Sequence, residues 1–173
     1  MTYNTLPETG DDSQDEQELH TLIARLADPD KTVRAEAMRG LVMIGKPAVP
    51  ACIRAMQDDE WRVRYRAAEA LGLIGDERAY APLVAALSDK KDHVRYMAAK
   101  GLGLIGDPRA IAHLRIAQRD ENEFVRRSAA ASLGKIGGVE AVAALRSALE
   151  DENTRGVREV ILAALHDAGA DEG

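Results

Sequence analysis

The chain has 173 residues, a formal net charge of −6 and a single cysteine, Cys52. The negative charge disfavours non-specific binding to nucleic acid or to an anionic membrane surface. One cysteine excludes an intramolecular disulfide and a cysteine-based zinc site, and it is typical of a reducing compartment. Hydrophobic residues make up 46% of the chain and aromatic residues only 3%, a composition that favours helices packed through aliphatic side chains. No apolar run approaches the ~18 residues that cross a bilayer, so we expect a cytoplasmic protein.

The first sixteen residues are polar and acidic, and they contain no apolar signal core. A segment of this composition cannot bury enough apolar surface to fold, so residues 1–16 are predicted to be a disordered acidic tail. Residues 17–170 are predicted to form a single repeat domain.

Five copies of one sequence pattern follow this tail. The dipeptide Val-Arg recurs at intervals of 30 to 32 residues; in every copy an acidic residue lies five positions before the Val, a Leu eight positions after it and a Gly twelve positions after it. Such a period indicates a stacked repeat architecture. The Val residues are Val33, Val63, Val94, Val125 and Val157, and the predicted units are about 17–47, 48–78, 79–109, 110–140 and 141–170.

Each unit is predicted to contain two helices. The first is a short apolar segment, such as residues 80–88 or 142–150, and an acidic turn follows it. The second helix begins near the Val-Arg dipeptide and ends at the Gly. Its apolar positions, numbered from the Val as 0, +4, +8 and +11, fall on one helical face. We expect the acidic turns to supply N-caps, with Asp30, Asp59 and Asp92 as candidates.

The stretches VRYRAAEALGLIGDERA (63–79) and VRYMAAKGLGLIGDPRA (94–110) resemble HEAT repeats, in particular the short repeats named after phycobiliprotein lyases. The resemblance covers roughly residues 17–170. It implies an all-α fold, a right-handed, armadillo-like α-solenoid of about five helix pairs whose second helices line the concave side. The motif is specific for the fold and not for a function, because many proteins of the family share only the scaffold.

The stretch Gly101–Gly106 reads GLGLIG and matches the dinucleotide-binding pattern G-x-G-x-x-G. A dinucleotide loop opens a helix after a strand, whereas this stretch ends a predicted helix, and the other units do not repeat the match. We therefore interpret Gly106 as a C-cap. Gly103, like Gly72 and Gly134 in the neighbouring units, is predicted to be a packing notch for an adjacent helix.

The remaining residues of chemical interest are best explained by structural roles. Cys52 occupies a position that is Leu in the other four units, so it is predicted to be a small buried hydrophobe. The four histidines occur at four different repeat positions, and no cluster for a metal is visible. The Arg of each Val-Arg dipeptide and the acidic residue five positions before the Val are interpreted as a ladder that links successive turns. No catalytic, metal-binding or cofactor-binding residue is predicted.

A candidate binding groove lies on the second helices opposite the core, at positions −1, +2, +3, +6 and +10. In the three central units these positions carry five basic side chains against one acidic, together with three of the six aromatic residues of the chain. Aromatic, basic and methionine side chains on a concave surface favour protein recognition; alternatively, the aromatic residues only pack between repeats. The candidates are Trp61 at the edge of the groove and, at the positions above, Arg62, Tyr65, Arg66, Glu69, Leu73, His93, Tyr96, Met97, Lys100, Leu104, Phe124, Arg127 and Lys135.

Three functions remain open from the sequence. The leading hypothesis is a non-enzymatic scaffold that binds a protein or an acidic peptide on its concave face. The family resemblance implies an alternative, a subunit of a bilin lyase-like enzyme that attaches or removes a chromophore. The least favoured alternative is a helical-repeat protein that binds nucleic acid, which the acidic total charge disfavours. Self-association through the terminal repeats is also left open, and no membrane partner is expected.

Overall fold

The structure is a computed structural model in which residues 12–169 are described. This part of the chain forms ten α-helices, so the predicted all-α fold is confirmed. The helices are α1 (Asp12–Arg25), α2 (Lys31–Ile44), α3 (Val49–Ala55), α4 (Trp61–Ile74), α5 (Tyr80–Ala86), α6 (Asp92–Ile105), α7 (Ile111–Ala117), α8 (Glu123–Ile136), α9 (Gly138–Asp151) and α10 (Arg155–Asp167).

The helices form five successive pairs. The 3₁₀ turns Lys46–Ala48, Glu77–Ala79 and Pro108–Ala110 lead directly into α3, α5 and α7. Three of the predicted unit boundaries fall inside these turns, and the fourth, between residues 140 and 141, falls in the first turn of α9. Helix α1 begins at Asp12, inside the segment predicted to be a disordered tail; residues 1–11 of that segment lie outside the described residues.

The second helix of each pair begins three residues after the acidic residue that lies five positions before the Val, and in the first four units the predicted glycine is its C-cap. The backbone N–H of Gly106 donates to the carbonyl oxygen of Leu102 at 3.0 Å, and the φ angle of Gly106 is 73°. A left-handed conformation of this kind is strained for residues with a Cβ atom. The stretch Gly101–Gly106 therefore closes a helix, and the C-cap interpretation of Gly106 is confirmed.

The N-caps occupy the position three residues before each Val. Asp30 caps α2 as predicted and accepts a hydrogen bond from the N–H of Thr32 at 2.7 Å. The predictions for Asp59 and Asp92 are wrong by one residue: Glu60 caps α4, and Asp92 is the first residue of α6. The acidic turns contain several adjacent carboxylates, and the sequence alone does not fix which of them reaches the helix end.

Successive second helices pack closely against each other, whereas the first helices lie farther apart. A Cβ atom on Gly72 would lie 2.7 Å from Gly101 Cα, and one on Gly103 would lie 2.8 Å from Ser132 Cα. A Cβ atom on Gly134 would lie 2.8 Å from Ala164 Cα. All three glycines are thus the packing notches that the sequence predicted. Because the more closely spaced layer of a curved stack is its inner layer, the second helices line the inner side and the first helices the outer side.

The core lies between the two layers. The leucines at position +8 of the first four second helices are completely buried, as are Leu83, Leu114 and Leu145 of the first helices. Cys52 is also completely buried at the equivalent position of α3, which confirms its predicted role as a core residue. Burial of each such side chain stabilises the fold by ~1.5–3 kcal/mol. The +8 residues are Leu41, Leu71, Leu102 and Leu133.

A ladder of arginine and acidic side chains connects the units. Arg64 Nε donates to Asp89 Oδ2 at 2.7 Å, and its Nη1 donates to the carbonyl oxygen of Asp58 in its own unit at 2.7 Å. Arg95 and Arg126 repeat this arrangement with acidic partners one unit further along. The predicted ladder is therefore confirmed for these three arginines. Arg34 in unit one instead donates to the carbonyl oxygens of Asp28 and Pro29.

Candidate binding face

Three rows of side chains from the second helices are exposed on the inner side. These rows occupy positions −1, +6 and +10, which point away from the core and between the two neighbouring helices. We call them the inner face. In the three central units they contain nine residues, of which Glu69 is half-buried and the other eight are exposed. The nine are Arg62, Glu69, Leu73, His93, Lys100, Leu104, Phe124, Ala131 and Lys135.

The predicted residues at positions +2 and +3 lie instead in the seams between adjacent second helices. Tyr65, Tyr96 and Arg66 are half-buried. Met97 has only 2% of its surface exposed, so its prediction as a groove residue is wrong. The glycine notches bring the helices so close together that the seams close over the side chains directed into them. These side chains contribute more to packing between the second helices than to a surface that a ligand could contact.

Hydrogen bonding across one seam supports this division. Ser128, at position +3 of α8, is buried, and its hydroxyl donates to the carbonyl oxygen of Tyr96 at 3.0 Å. The hydroxyl of Ser132 donates to the carbonyl oxygen of Ala99 at 2.8 Å. Burial raises the pKa of the Tyr65 phenol above its usual range. The seam residues are therefore part of the scaffold on which the exposed rows stand.

An aromatic cluster lies where α4 and α6 begin. The rings of Trp61 and His93 are 5.0 Å apart between their centroids, at an angle of 53°. The Arg62 guanidinium carbon lies 4.8 Å from the Trp61 ring centroid, and the Lys91 Nζ lies 5.2 Å from it. The Nδ1 atom of His93 is 2.8 Å from Asp92 Oδ1, and this hydrogen bond lowers the pKa of the Asp92 carboxyl. Trp61 is half-buried and is held by these cation–π contacts, whereas His93 is exposed.

The basic side chains of the predicted groove differ in their pairing. Arg66 donates to Glu69 at 2.5 Å and Arg62 to Glu60 at 3.0 Å, so these two cations are already neutralised by neighbours. Lys100 and Lys135 are exposed, and within the described part of the chain neither forms an ion pair. Arg127 is half-buried, and its guanidinium carbon lies 5.9 Å from the Phe124 ring centroid. The positive charge that remains available therefore lies on α6 and α8.

Position +10 is apolar in the first three units. Leu73 is 49% exposed, Leu104 is 37% exposed, and Met43 of unit one, in the same register, is 88% exposed. Met43 lies outside the three central units to which the predicted groove is confined, although the same repeat register extended to α2 identifies it. Arg39, at position +6 of α2, is likewise exposed and was missed. The inner face thus has apolar side chains at position +10 of α2, α4 and α6, and exposed cations beside them on α2, α6 and α8.

The described residues contain no candidate metal site: over residues 12–169, no three His, Cys, Asp or Glu side chains are placed to hold a metal ion together. Burial raises the pKa of the Cys52 thiol to about 11, which keeps it protonated at neutral pH.

Comparison with known proteins gives the same architecture. The sequence profile of HEAT repeats matches residues 19–95 and again residues 80–166. No match was found among curated protein sequences. None of the described helices has the length and apolar content that a membrane span requires.

Three solved structures show the likeness in more detail. A chain from the complex of CpcE and CpcF of phycocyanin lyase from Nostoc sp. is 27% identical, with a TM-score of 0.81, and the match covers 87% of this chain and 99% of that one. Human deoxyhypusine hydroxylase is 26% identical, with a TM-score of 0.61, over 91% of this chain and 65% of that one. A designed armadillo repeat protein, 20% identical over 88% of this chain and 82% of its own, has a TM-score of 0.54 and shares the fold.

Proposed function

The chain belongs to the HEAT-repeat family, and on that premise we propose that it is a non-enzymatic module whose inner face binds a polypeptide segment of a partner protein. The observation that carries the proposal is the set of three exposed rows on close-packed second helices. Large apolar side chains and unpaired cations stand there side by side on a scaffold fixed by glycine notches and buried hydroxyl groups. Exposed apolar groups rimmed by charges are typical of protein recognition surfaces.

The side chains of the inner face specify the segment that would fit. Met43, Leu73 and Leu104 offer a row of apolar contacts across three successive second helices. Lys100 and Lys135 place unpaired positive charge beside this row, on α6 and α8. We therefore expect a segment that carries both apolar residues and Asp or Glu residues, because burying the partner's carboxylates is favourable only opposite unpaired cations.

Charge reversal on the inner face tests this proposal. Full-length protein is used to capture partners from a native lysate of the source organism, and the captured proteins are identified by mass spectrometry. The combined variant Lys100→Glu and Lys135→Glu should lower the affinity of the purified partner by about tenfold or more. Arg54→Glu is the matched control, because Arg54 is an exposed cation on α3, in the outer layer.

Two further results decide the case. Raising the ionic strength should weaken binding to the wild-type chain more than binding to the double variant, since the lysines act through screened charge. A partner that binds the double variant and the Arg54→Glu control equally well would show that the inner face is not the binding surface. Circular dichroism spectra of all variants should coincide, because the three side chains are exposed.

Similarity to the phycocyanin lyase chain favours one second candidate, a subunit of a bilin lyase-like enzyme. The match spans 99% of that chain, so the whole of the lyase chain has a counterpart here. Incubation of the full-length protein with phycocyanobilin, with and without apo-phycocyanin, tests this candidate. A shift of the visible absorption band or covalent colour on the acceptor would support it. An unchanged spectrum in both mixtures would count against it and leave the binding proposal intact.

A further inference from the structure

The outer side of the stack contains a groove that the inner-face proposal does not use. It has a volume of about 1500 Å³ and is bounded by α5, α7, α9 and the segment 152–154 before α10. It is open because the first helices lie farther apart than the second helices. We call it the outer groove.

One residue of the groove departs from the repeat pattern. Gln118 stands seven positions before Val125, where the first three units carry Leu26, Met56 and Leu87. It is only 8% exposed, as a core residue would be. Its Nε2 atom is buried and has no hydrogen-bond partner within residues 12–169. An unpaired buried amide destabilises the free protein, and the apolar residues of the first three units avoid this cost. An acceptor supplied by a ligand would remove it.

The walls of the groove add charge and space. Arg115 and Arg119 are exposed on the α7 side, and neither guanidinium has a hydrogen bond or ion pair within the described chain. On the α9 side the small residues Ala143 and Ser147 are exposed one helical turn apart. The acidic residues Glu140 and Asp151 line the groove toward the two ends of α9. The α7 wall therefore offers hydrogen-bond donors, and the small side chains on α9 make the opposite wall shallow.

We propose that the outer groove is a second binding site, which accepts an α-helical segment of a partner protein with a carboxylate directed at Gln118, Arg115 and Arg119. The volume exceeds the ~300–1,000 Å³ of typical small-molecule sites. Small side chains on α9 allow a helix to approach to an interaxial distance of ~8–10 Å. A carboxylate supplies acceptors for the unpaired amide and for both guanidinium groups. This site is independent of the inner face.

A phage-displayed peptide library tests the proposal. Peptides of about 16 residues, long enough for four helical turns, are selected on the immobilised full-length chain. The selected peptides should carry Asp or Glu on one side of an amphipathic pattern. Their affinity should fall about tenfold or more in Gln118→Leu. Gln57→Leu is the matched control, because Gln57 is an exposed glutamine in the corresponding turn after α3, and it should leave the affinity unchanged.

Two measurements separate recognition from folding. Gln118→Leu should raise the melting temperature, because it restores the apolar residue type of Leu26 and Met56, so a loss of affinity cannot then come from misfolding. Ser147→Arg fills the groove from the opposite wall and should abolish binding, whereas the combined variant Lys100→Glu and Lys135→Glu should not affect it. If no selected peptide depends on both Gln118 and Ser147, the proposal is overturned.

Discussion

Arg95 and Asp120, from successive units, are joined by two hydrogen bonds of 2.7 Å from Nε to Oδ2 and 2.9 Å from Nη2 to Oδ1. Both side chains are about nine-tenths buried, with exposures of 10% and 11%. Asp120 also accepts a hydrogen bond from the backbone N–H of Asn122. One carboxylate therefore fixes its own turn and connects this turn to α6. This geometry makes the ladder a structural element of the stack.

Loss of this carboxylate should be strongly destabilising. In Asp120→Ala the Arg95 guanidinium remains buried without its partner, and we expect the free energy of unfolding in urea to fall by about 2–4 kcal/mol. Glu159→Ala is the control, because the Arg155–Glu159 pair is 93% and 62% exposed, and it should cost about 0.5 kcal/mol or less. Equal losses in the two variants would contradict a structural role of the ladder.

Acid should weaken the ladder. The hydrogen bond from Arg126 lowers the pKa of the Glu152 carboxyl from 4.5 to about 2. A group whose pKa is lowered on folding contributes stability above its unfolded pKa and loses it as the pH falls toward the folded pKa. The free energy of unfolding should therefore decline between pH 4.5 and pH 2. Urea titrations should show a shallower decline for Glu152→Gln than for the wild type, whereas Glu140→Gln, at an exposed position, should follow the wild type.

A methyl group in the packing notch should separate two helices. A Cβ atom on Gly103 would lie 2.8 Å from the Cα atom of Ser132, a backbone atom that cannot move cheaply. We expect Gly103→Ala to lower the free energy of unfolding by about 1–3 kcal/mol in spite of the better helix propensity of Ala. Gly40→Ala is the control, since its Cβ would meet only the terminal atoms of the Leu22 side chain, 3.0 Å away. A stabilised Gly103→Ala variant would show that the notch is not needed.

Cys52 should report on unfolding. Its side chain is completely buried, and burial raises the pKa of the thiol to about 11. Because only an accessible thiolate reacts readily, labelling with a disulfide reagent at neutral pH should be slow in the folded protein and fast in urea. The labelling rate at rising urea concentration should follow the loss of helical signal. Rapid labelling of the native protein would place Cys52 outside the core.

The repeat register predicts most residues of the inner face, but it does not predict which side chains are buried between neighbouring helices. Leu73, Leu104, Lys100 and Lys135 are exposed as the sequence indicated, because they point directly away from the core. Met97 is also of a residue type that favours recognition, but its side chain is buried in a seam between second helices. The sequence gives the direction of each side chain around its own helix axis. It does not give the distance to the neighbouring helix, which decides whether that direction is open.

Sequence periodicity by itself determined the helix pairs, the closing glycines, the ladder arginines and the position of Cys52, because each of these depends on a local pattern repeated five times. Tertiary structure alone decided that Met97 is buried in a seam between second helices, and that the Gln118 amide is buried with no hydrogen-bond partner among the described residues. These features depend on how closely adjacent units approach. The approach differs between the two layers, because the notches that bring the second helices together have no counterpart between the more widely spaced first helices.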